Sequence, residues 1–250
     1  MINNVVQGDT IAKMKELPDN SVDLLLVDLA YGTTQNKWDS VILLPDLWEQ
    51  YHRVVKENKE NGAMIFTASG VFTAKLILSN PKDYKYNYTW IKSKATNFLN
   101  AKKQPLRKHE DILVFYRKQP TYNPQMTSGS AYSKGIRKDQ ITGSYGDFRP
   151  VLVKSKGKRY PVDVLYFKTA EAEGKVVHPT QKPVSLGRYL IRTFSNPGDV
   201  VLDNTSGSGS FLVAALQEGR NFIGIEKNEN VALFKKQKVD YIEVTKSRIN

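Results

Sequence analysis

The feature that most restricts the fold of this chain is a pair of glycines between two apolar runs near its C-terminal end. The segment reads Val200-Val-Leu-Asp203, then Asn-Thr-Ser-Gly207-Ser-Gly209, then Ser-Phe-Leu-Val-Ala-Ala-Leu216. This order predicts a strand, a tight loop and a helix. Glycines in such a loop let the backbone approach a ligand closely, and the start of the helix presents unpaired N–H groups to it. A loop that only turns the chain is the alternative reading of the glycine pair by itself.

An acidic residue follows this loop at the spacing expected for a nucleoside site. Glu226 ends the next apolar run, about 20 residues after the loop, where nucleotide-binding α/β folds place a carboxylate on the ribose. Leu212 replaces the third glycine of the dinucleotide fingerprint, which argues against a pyrophosphate ligand. The segment therefore predicts a site for a nucleoside that carries no pyrophosphate.

A second acidic residue stands at the end of another apolar run. The residues from Val22 to Val27 are too apolar for an edge strand and are predicted to form a buried parallel strand, with Asp28 at its end. Ligands of open parallel sheets bind at the carboxyl ends of the strands, so we expect Asp28 and Asp203 on the same edge. Strands alternate with helices along the chain, which predicts a doubly wound α/β sheet.

Composition excludes several classes of chemistry and location. The chain has 250 residues, of which 40% are hydrophobic, enough for one large domain with a full core and a smaller appendage. It has no cysteine, which excludes disulfides, thiolate metal sites and a thiol nucleophile, and no metal is predicted. No apolar run approaches the roughly 18 residues of a membrane helix, and the first residues do not resemble a signal peptide. We expect a cytoplasmic protein that does not contact a membrane.

Basic residues are concentrated in the middle of the chain. The net charge of +12 favours a polyanionic partner, and residues 92–108 contain six Lys or Arg and no acid. Residues 117–160 contain ten Lys or Arg, two Asp and several interleaved aromatic residues, which suits phosphate contacts and stacking on bases. A disordered basic loop is the alternative.

We predict a main domain of residues 1–118 and 176–250 and a basic insert of residues 119–175. The residues predicted to contact nucleic acid are Lys102, Lys103, Arg107, Lys108, Lys134, Arg137, Lys138, Lys156, Lys158 and Arg159.

Four motifs together resemble the amino-methylating DNA methyltransferases. They are Asp28-Leu-Ala-Tyr31, Asp203 to Phe211, His178-Pro-Thr-Gln-Lys-Pro183 and Phe222-Ile-Gly-Ile-Glu226. The family carries its catalysis on a D-P-P-Y-type tetrapeptide, and the motif order, with the target-recognition insert in the middle and the cofactor loop last, is similar to its beta group. The resemblance implies a Rossmann-like methyltransferase sheet with a small basic target-recognition insert. It also implies S-adenosyl-L-methionine as the cofactor and DNA as the partner, in a bacterial or phage-infected cell.

The resemblance also implies roles for the catalytic residues. The carboxylate of Asp28 and the backbone carbonyl of Leu29 accept hydrogen bonds from the exocyclic amine of the target base, and Tyr31 stacks on that base after it is flipped out. Ala30 departs from the family pattern, which has proline at this position. Proline restricts the backbone, so we expect Ala30 to weaken catalysis. The residues expected at the cofactor are Asp9, Asp28, Thr180, Lys182, Asp203, Asn204, Ser206, Gly207, Gly209 and Glu226.

Within that family the target base and the partners differ between members. Methylation at cytosine C5 needs a cysteine, which this chain lacks, and a tetrapeptide that begins with Asp favours adenine N6, with cytosine N4 as the alternative. A DNA-binding homologue weakened by Ala30 is a further alternative, and an RNA or protein amide substrate is another, although Asp28 disfavours the amide. A homodimer and a cognate restriction enzyme are both compatible with the sequence, as are a monomer and a solitary enzyme.

Overall fold

The computed structural model describes residues 1–32, 41–57, 61–137, 150–228, 232–234 and 237–250, except for the side chains of residues 137, 232 and 233. The chain divides into two compact units. The larger unit consists of Met1–Asn123 and Asp163–Asn250, and the smaller of Pro124–Val162.

Strands and helices alternate along much of the larger unit, whereas the smaller unit contains only strands among its described elements. The strands of the chain are β1 Asn4–Gln7, β2 Leu24–Val27, β3 Ala63–Ala68, β4 Tyr84–Thr96, β5 Arg107–Phe115, β6 Thr127–Ser128, β7 Tyr132–Arg137, β8 Val151–Ser155, β9 Lys158–Arg159, β10 Val164–Phe167, β11 Val200–Asp203, β12 Asn221–Glu226, β13 Ala232–Phe234 and β14 Gln237–Val239. The helices are α1 Thr10–Lys15, α2 Leu44–Val54, α3 Val71–Ser79, α4 Val184–Phe194, α5 Ser210–Gln217 and α6 Tyr241–Ile249. Within the described ranges, no helix is long and apolar enough to cross a membrane.

The larger unit is built on an eight-stranded sheet of order β1-β12-β11-β2-β3-β5-β4-β10. The first five strands in this order are parallel, β5 is antiparallel to both its neighbours, and β10 is parallel to β4. The carboxyl ends of the parallel strands therefore lie at one edge with the carboxyl end of β4 and the start of β5. We call this edge the carboxyl rim.

Helices cover both faces of the sheet. Leu24 and Leu26 of β2 lie in a buried cluster with residues of α4 and α5, whereas Leu25 and Val27 lie in a cluster with residues of α1, α2 and α3. Because successive side chains of a strand point to opposite faces, this alternation shows that β2 is buried on both sides. The predicted doubly wound, Rossmann-like α/β fold is confirmed.

The smaller unit consists of two antiparallel ribbons, β6 with β9 and β7 with β8. It is shorter than the insert predicted for residues 119–175. Residues 163–175 belong to the larger unit, in which β10 pairs with β4 of the main sheet. Its described residues include six Lys or Arg and no acid. A role in target recognition stays a prediction for this unit.

Candidate active site

Asp28 lies at the carboxyl rim directly after β2, and both oxygens of its carboxylate are hydrogen-bonded. Oδ1 accepts from the hydroxyl of Thr67 at 2.5 Å and from that of Tyr31 at 2.9 Å. Oδ2 accepts from Nζ of Lys182 at 2.8 Å. A carboxylate has about four acceptor positions, so, counting only the described residues, one position on Oδ2 remains. Asp28 is thus held in one orientation and can still accept a hydrogen bond from a ligand.

Lys182 connects Asp28 to a second ion pair. Its Nζ lies 3.4 Å from Oε2 of Glu110 on β5, and Oε1 of Glu110 lies 3.1 Å from Nζ of Lys92 on β4. Burial alone would raise the pKa of Glu110, but the ammonium groups of Lys182 and Lys92 outweigh it and lower that pKa. Burial alone would lower the pKa of Lys182, but Asp28 and Glu110 raise it. Glu110 and Lys182 are therefore charged at neutral pH, in a row that alternates in sign from Asp28 to Lys92.

The tetrapeptide that begins with Asp28 packs against α3. The ring of Tyr31 stacks on Phe72, with 5.1 Å between ring centroids and 22° between ring planes. Burial, followed by the charges of Asp28 and Glu110, raises the pKa of Tyr31 well above its ordinary value, so its hydroxyl is protonated and donates to Asp28. Leu29 is buried and Ala30 is half-buried. The stacking of Tyr31 on a target base stays a prediction; in this structure the ring lies against Phe72.

The glycine loop between β11 and α5 has the backbone conformation that only glycine adopts readily. Gly207 has φ 50° and Gly209 has φ 75°, both in the left-handed region. Two side chains from other elements hold the backbone of Gly207. Oε2 of Glu226 accepts from the N–H of Gly207 at 2.8 Å, and Oγ1 of Thr245 on α6 donates to its carbonyl at 3.0 Å. The loop thus has a defined shape and is joined to the end of β12.

The structure brings the ends of β2, β11 and β12 together. Thr205 in the glycine loop donates from Oγ1 to the backbone carbonyl of Asp28 at 3.1 Å. Burial raises the pKa of Asp203 well above its usual range, and the nearby charges of Asp28 and Glu226 raise it further. Burial also raises the pKa of Glu226. A ligand with positive charge would relieve this crowding of carboxylates, because it would favour their ionised forms.

Three further residues predicted at the cofactor have different surroundings. Asp9 caps α1 by accepting from the N–H of Ala12 at 3.0 Å. The side chain of Asn204 is buried and bonded to the hydroxyls of Tyr51 at 3.1 Å and Thr10 at 2.6 Å. Oγ of Ser206 is buried and has no hydrogen-bond partner among the described residues. A buried hydroxyl without a partner is costly, so Ser206 fits a loop that donates to a bound ligand. Cofactor contacts of Asp9 and Asn204 stay predictions.

The segment before α4 contributes a histidine beside the glycine loop. Nδ1 of His178 accepts from the backbone N–H of Thr180 at 3.2 Å, and its ring lies 4.6 Å from that of Tyr241 on α6. Burial, followed by the charge of Lys182, lowers the pKa of His178 to about 4, so the imidazole is neutral at neutral pH. Thr180 is exposed, and its contact with a cofactor stays a prediction.

The basic residues predicted to contact nucleic acid lie in two places. Lys102, Lys103, Arg107 and Lys108 are exposed between and at the ends of β4 and β5. Within the smaller unit, Lys134, Lys156 and Lys158 are exposed.

Arg159 in the smaller unit differs from those lysines. Its guanidinium lies 4.6 Å from the ring centroid of Tyr132 and donates to Oγ of Ser155 at 2.7 Å and to the carbonyl of Ser130. These contacts hold the two ribbons of the unit together. Lys138 and the side chain of Arg137 lie outside the described residues.

Several residues of the site were not assigned from the sequence. Thr67 is the polar residue of an otherwise apolar buried strand, and Thr205 lies two positions after Asp203 at a strand end. Both positions could therefore have been recognised from the sequence as candidate site residues. Lys92 was counted with the exposed basic loop, but it is buried in β4 with only 4% of its surface exposed. Its burial depends on Glu110 in the neighbouring strand.

Comparisons with known proteins show the family and the fold of this chain. The N6/N4 methyltransferase family, described as DNA methylase, matches residues 22–236. The DNA adenine methyltransferase YhdJ of Escherichia coli (strain K12) is 30% identical over 249 residues, which cover 90% of this chain and 78% of YhdJ. The crystal structure of the M1.HpyAVI–SAM complex has a TM-score of 0.64 at 22% identity and covers 99% of this chain and 98% of its own. PvuII DNA methyltransferase, which is cytosine-N4-specific, has a TM-score of 0.65 at 13% identity and covers 98% of this chain and 86% of its own.

A Rossmann-like sheet with an acidic tetrapeptide and a glycine loop on one rim defines a class of methyl-transferring enzymes. The family match and the identity to YhdJ show that the chain belongs to the N6/N4 DNA methyltransferases.

Proposed function

We propose that this protein transfers a methyl group from S-adenosyl-L-methionine to the exocyclic N6 amine of adenine in DNA. The observation that carries the proposal is the carboxylate of Asp28, which is fixed by three donors and keeps one acceptor position at the rim beside the glycine loop. Adenine is favoured over cytosine because the tetrapeptide begins with Asp and because YhdJ is named an adenine methyltransferase.

The chemistry requires the chain to activate a weak nucleophile. The lone pair of an exocyclic amine is delocalised into the base, so the amine must be turned and polarised before it can attack. Oδ2 of Asp28 and the carbonyl of Leu29 accept its two N–H groups and direct its lone pair at the methyl group. The cofactor supplies a methyl group on a positively charged sulfur. With the cofactor bound, the amine nitrogen would form its bond to the methyl carbon as the electron pair of the C–S bond passes to sulfur, and the surplus proton of the methylated amine would then pass to water.

The glycine loop and its neighbours suit this cofactor. S-Adenosylmethionine carries a ribose, an ammonium group and a sulfonium but no phosphate. Glu226 stands at the end of β12 for the ribose hydroxyls, and Asp203 supplies a carboxylate for the ammonium group. The unpartnered hydroxyl of Ser206 and the left-handed glycines leave polar atoms and space for close approach.

Lys182 could act in this reaction in either of two ways. The sequence resemblance places it at the cofactor, where its ammonium group could contact the methionine carboxylate. In the structure its ammonium group contacts Asp28 and Glu110 instead. We assign it primarily to the orientation of Asp28, because its Nζ is within hydrogen-bonding distance of Oδ2, the oxygen that keeps an acceptor position.

The test is methyl transfer from labelled S-adenosylmethionine to genomic DNA free of prior methylation, with the product nucleosides separated by mass. N6-Methyladenine is the expected product. N4-Methylcytosine would keep the mechanism and overturn the choice of base. No methylated nucleoside, with DNA and cofactor binding intact, would contradict the proposal and favour the homologue weakened by Ala30. The control is the same reaction with RNA in place of DNA, which should give no product.

A further inference from the structure

The hairpin formed by β4 and β5 extends beyond the carboxyl rim. Ala68, the last residue of β3, is opposite Asp111 of β5, which in turn is opposite Thr89 of β4. From that level β4 continues to Thr96, and β5 begins only at Arg107. The tip of the hairpin, residues 97–106, therefore projects from the edge of the sheet that carries Asp28.

The hairpin tip presents three large apolar side chains to solvent, Phe98, Leu99 and Leu106, and the first two are adjacent and the most exposed. Phe98 and Leu99 have 75% and 85% of their surface exposed. They belong to a 3₁₀ turn, Phe98–Asn100, in which the N–H of Asn100 donates to the carbonyl of Asn97 at 3.1 Å and its side-chain amide donates to Oδ1 of Asn97 at 2.7 Å. Because the turn is bonded internally, the two side chains are held at its outer surface. Adjacent exposed apolar residues of this kind mark contact surfaces.

Basic residues surround this apolar pair. The chain contains no acid between Lys92 and His109, and the basic side chains flanking the pair are exposed. These residues are Lys94, Lys102, Lys103, Arg107 and Lys108. A surface with a bulky apolar centre and a cationic border is complementary to a nucleic-acid duplex, because phosphates meet the border while the apolar side chains meet the stacked bases.

The strands that carry the hairpin tip are also connected to Asp28 by ion pairs. β4 and β5 carry Lys92 and Glu110, and Glu110 pairs with Lys182, which contacts Asp28. A base can reach Asp28 only if it leaves the stack, and this unstacking costs a few kcal/mol in general. Apolar side chains inserted between base steps are a known way of lowering that barrier.

We infer that the β4–β5 hairpin tip is a wedge, in which Phe98 and Leu99 enter the DNA beside the target base and hold open the space that the base leaves. This inference rests on the proposed function. The wedge acts on the duplex before transfer, so its loss should slow reaction on a paired target and have little effect on a target that is already unpaired.

The experiment uses two synthetic duplexes that carry one site mapped with the unaltered enzyme on genomic DNA. In one duplex the target base has its normal partner, and in the other it faces an abasic position. Single-turnover methyl transfer is measured for the unaltered enzyme, for Phe98→Ala/Leu99→Ala and for Leu78→Ala. Leu78 is a matched control, because it is 75% exposed but lies at the end of α3 that is far from the carboxyl rim.

The double variant should lose at least about tenfold in rate on the paired duplex and return to within about threefold of the unaltered enzyme on the abasic duplex. Leu78→Ala should match the unaltered enzyme on both. An unchanged rate on the paired duplex, or an equal loss on both duplexes, would overturn the wedge. If the unaltered enzyme methylates no DNA at all, the proposed function itself fails. The single variants Phe98→Ala and Leu99→Ala give the same comparison should the double variant be poorly folded.

Discussion

Asp203 is the single residue at which the proposed binding function most clearly opposes stability. Asp203 has 3% of its surface exposed, and burial together with the nearby charges of Asp28 and Glu226 raises the pKa of its carboxyl group well above the usual range. A carboxyl group whose pKa is raised by folding stabilises the folded chain at low pH, and this contribution is lost as pH rises through the raised pKa. A cationic ligand would favour the ionised form, because it would pair with the carboxylate.

Replacing Asp203 by Asn should therefore stabilise the protein without cofactor while weakening cofactor binding. The melting temperature of Asp203→Asn should exceed that of the unaltered protein at pH 8, and the difference should vanish as pH falls toward the ordinary carboxyl pKa of about 4. Affinity for S-adenosylmethionine should fall at least about tenfold, since a charged hydrogen bond is lost. Thermal denaturation across pH and equilibrium binding measure the two effects. A lower melting temperature at pH 8 would contradict this account of Asp203.

Lys182 can be tested for its two roles by separating turnover from cofactor binding. Lys182→Met should lower kcat by about 10²-fold, because Asp28 loses the ammonium group that orients it, while the Kd for S-adenosylmethionine changes little. The matched control is Lys56→Met, which removes an ion pair of 2.7 Å to Asp23 at the opposite edge of the sheet and should leave kcat unchanged. A tenfold or larger rise in the cofactor Kd with kcat preserved would instead assign Lys182 to the methionine carboxylate.

The glycine loop, together with α5 and α6, is the element on which the proposed cofactor site depends. Gly209 ends the loop with φ 75°, and a Cβ atom there would collide with Thr245 of α6. Thr245 is fully buried and holds the carbonyl of Gly207, so it has little freedom to move. The loop is therefore restricted both by its own backbone conformation and by the helix packed against it.

Gly209→Ala should destabilise the protein more than Gly219→Ala. Gly219 has φ 69° but no atom within 4 Å of the added Cβ, so its substitution costs only the left-handed conformation, about 1–2 kcal/mol. Gly209→Ala should cost a further 1–3 kcal/mol from the collision and should also weaken cofactor binding. Urea unfolding gives both values. Equal losses for the two variants would show that Thr245 yields, and the argument for a tightly packed loop would fail.

The same elements show which parts of the site the sequence could predict. Asp28, Asp203 and Glu226 were predictable because each directly ends an apolar strand, and parallel strands bring such ends to one edge. The pairing of Lys182 with Asp28 joins residues 154 positions apart, and that with Glu110 depends on β5 lying antiparallel beside β3. Neither pairing can be predicted from the residues that neighbour each position in the sequence. Lys92 appeared exposed because lysine usually is, and only the partner strand explains its burial.

The charge of the whole molecule predicts how it binds DNA. The net charge is +12, and exposed basic residues occur both at the tip of the β4–β5 hairpin and in the smaller unit. Displacement of counterions from DNA should then make the affinity depend strongly on salt. With about six phosphate contacts, affinity should fall by roughly 10³ between 50 and 200 mM salt.

Replacing basic residues by alanine can show which of them contribute to this salt dependence. Lys102→Ala/Lys103→Ala should reduce the slope of log Kd against log salt by about two, whereas Lys75→Ala/Lys82→Ala, which removes two exposed lysines on α3 and the turn after it, should leave it unchanged. Titration of a fluorescent duplex over this salt range measures both slopes. A flat salt response of the unaltered protein would remove the case for phosphate contacts.

The role of Asp28 in activating the amine is tested most directly by the amount of N6-methyladenine formed in unmethylated genomic DNA by the unaltered enzyme and by Asp28→Ala, at saturating cofactor and DNA. N6-Methyladenine is expected from the unaltered enzyme, and the variant should form about 10²–10⁴-fold less while still binding S-adenosylmethionine. Comparable yields from the two proteins would contradict this role of Asp28, because the amine would then be activated without its carboxylate.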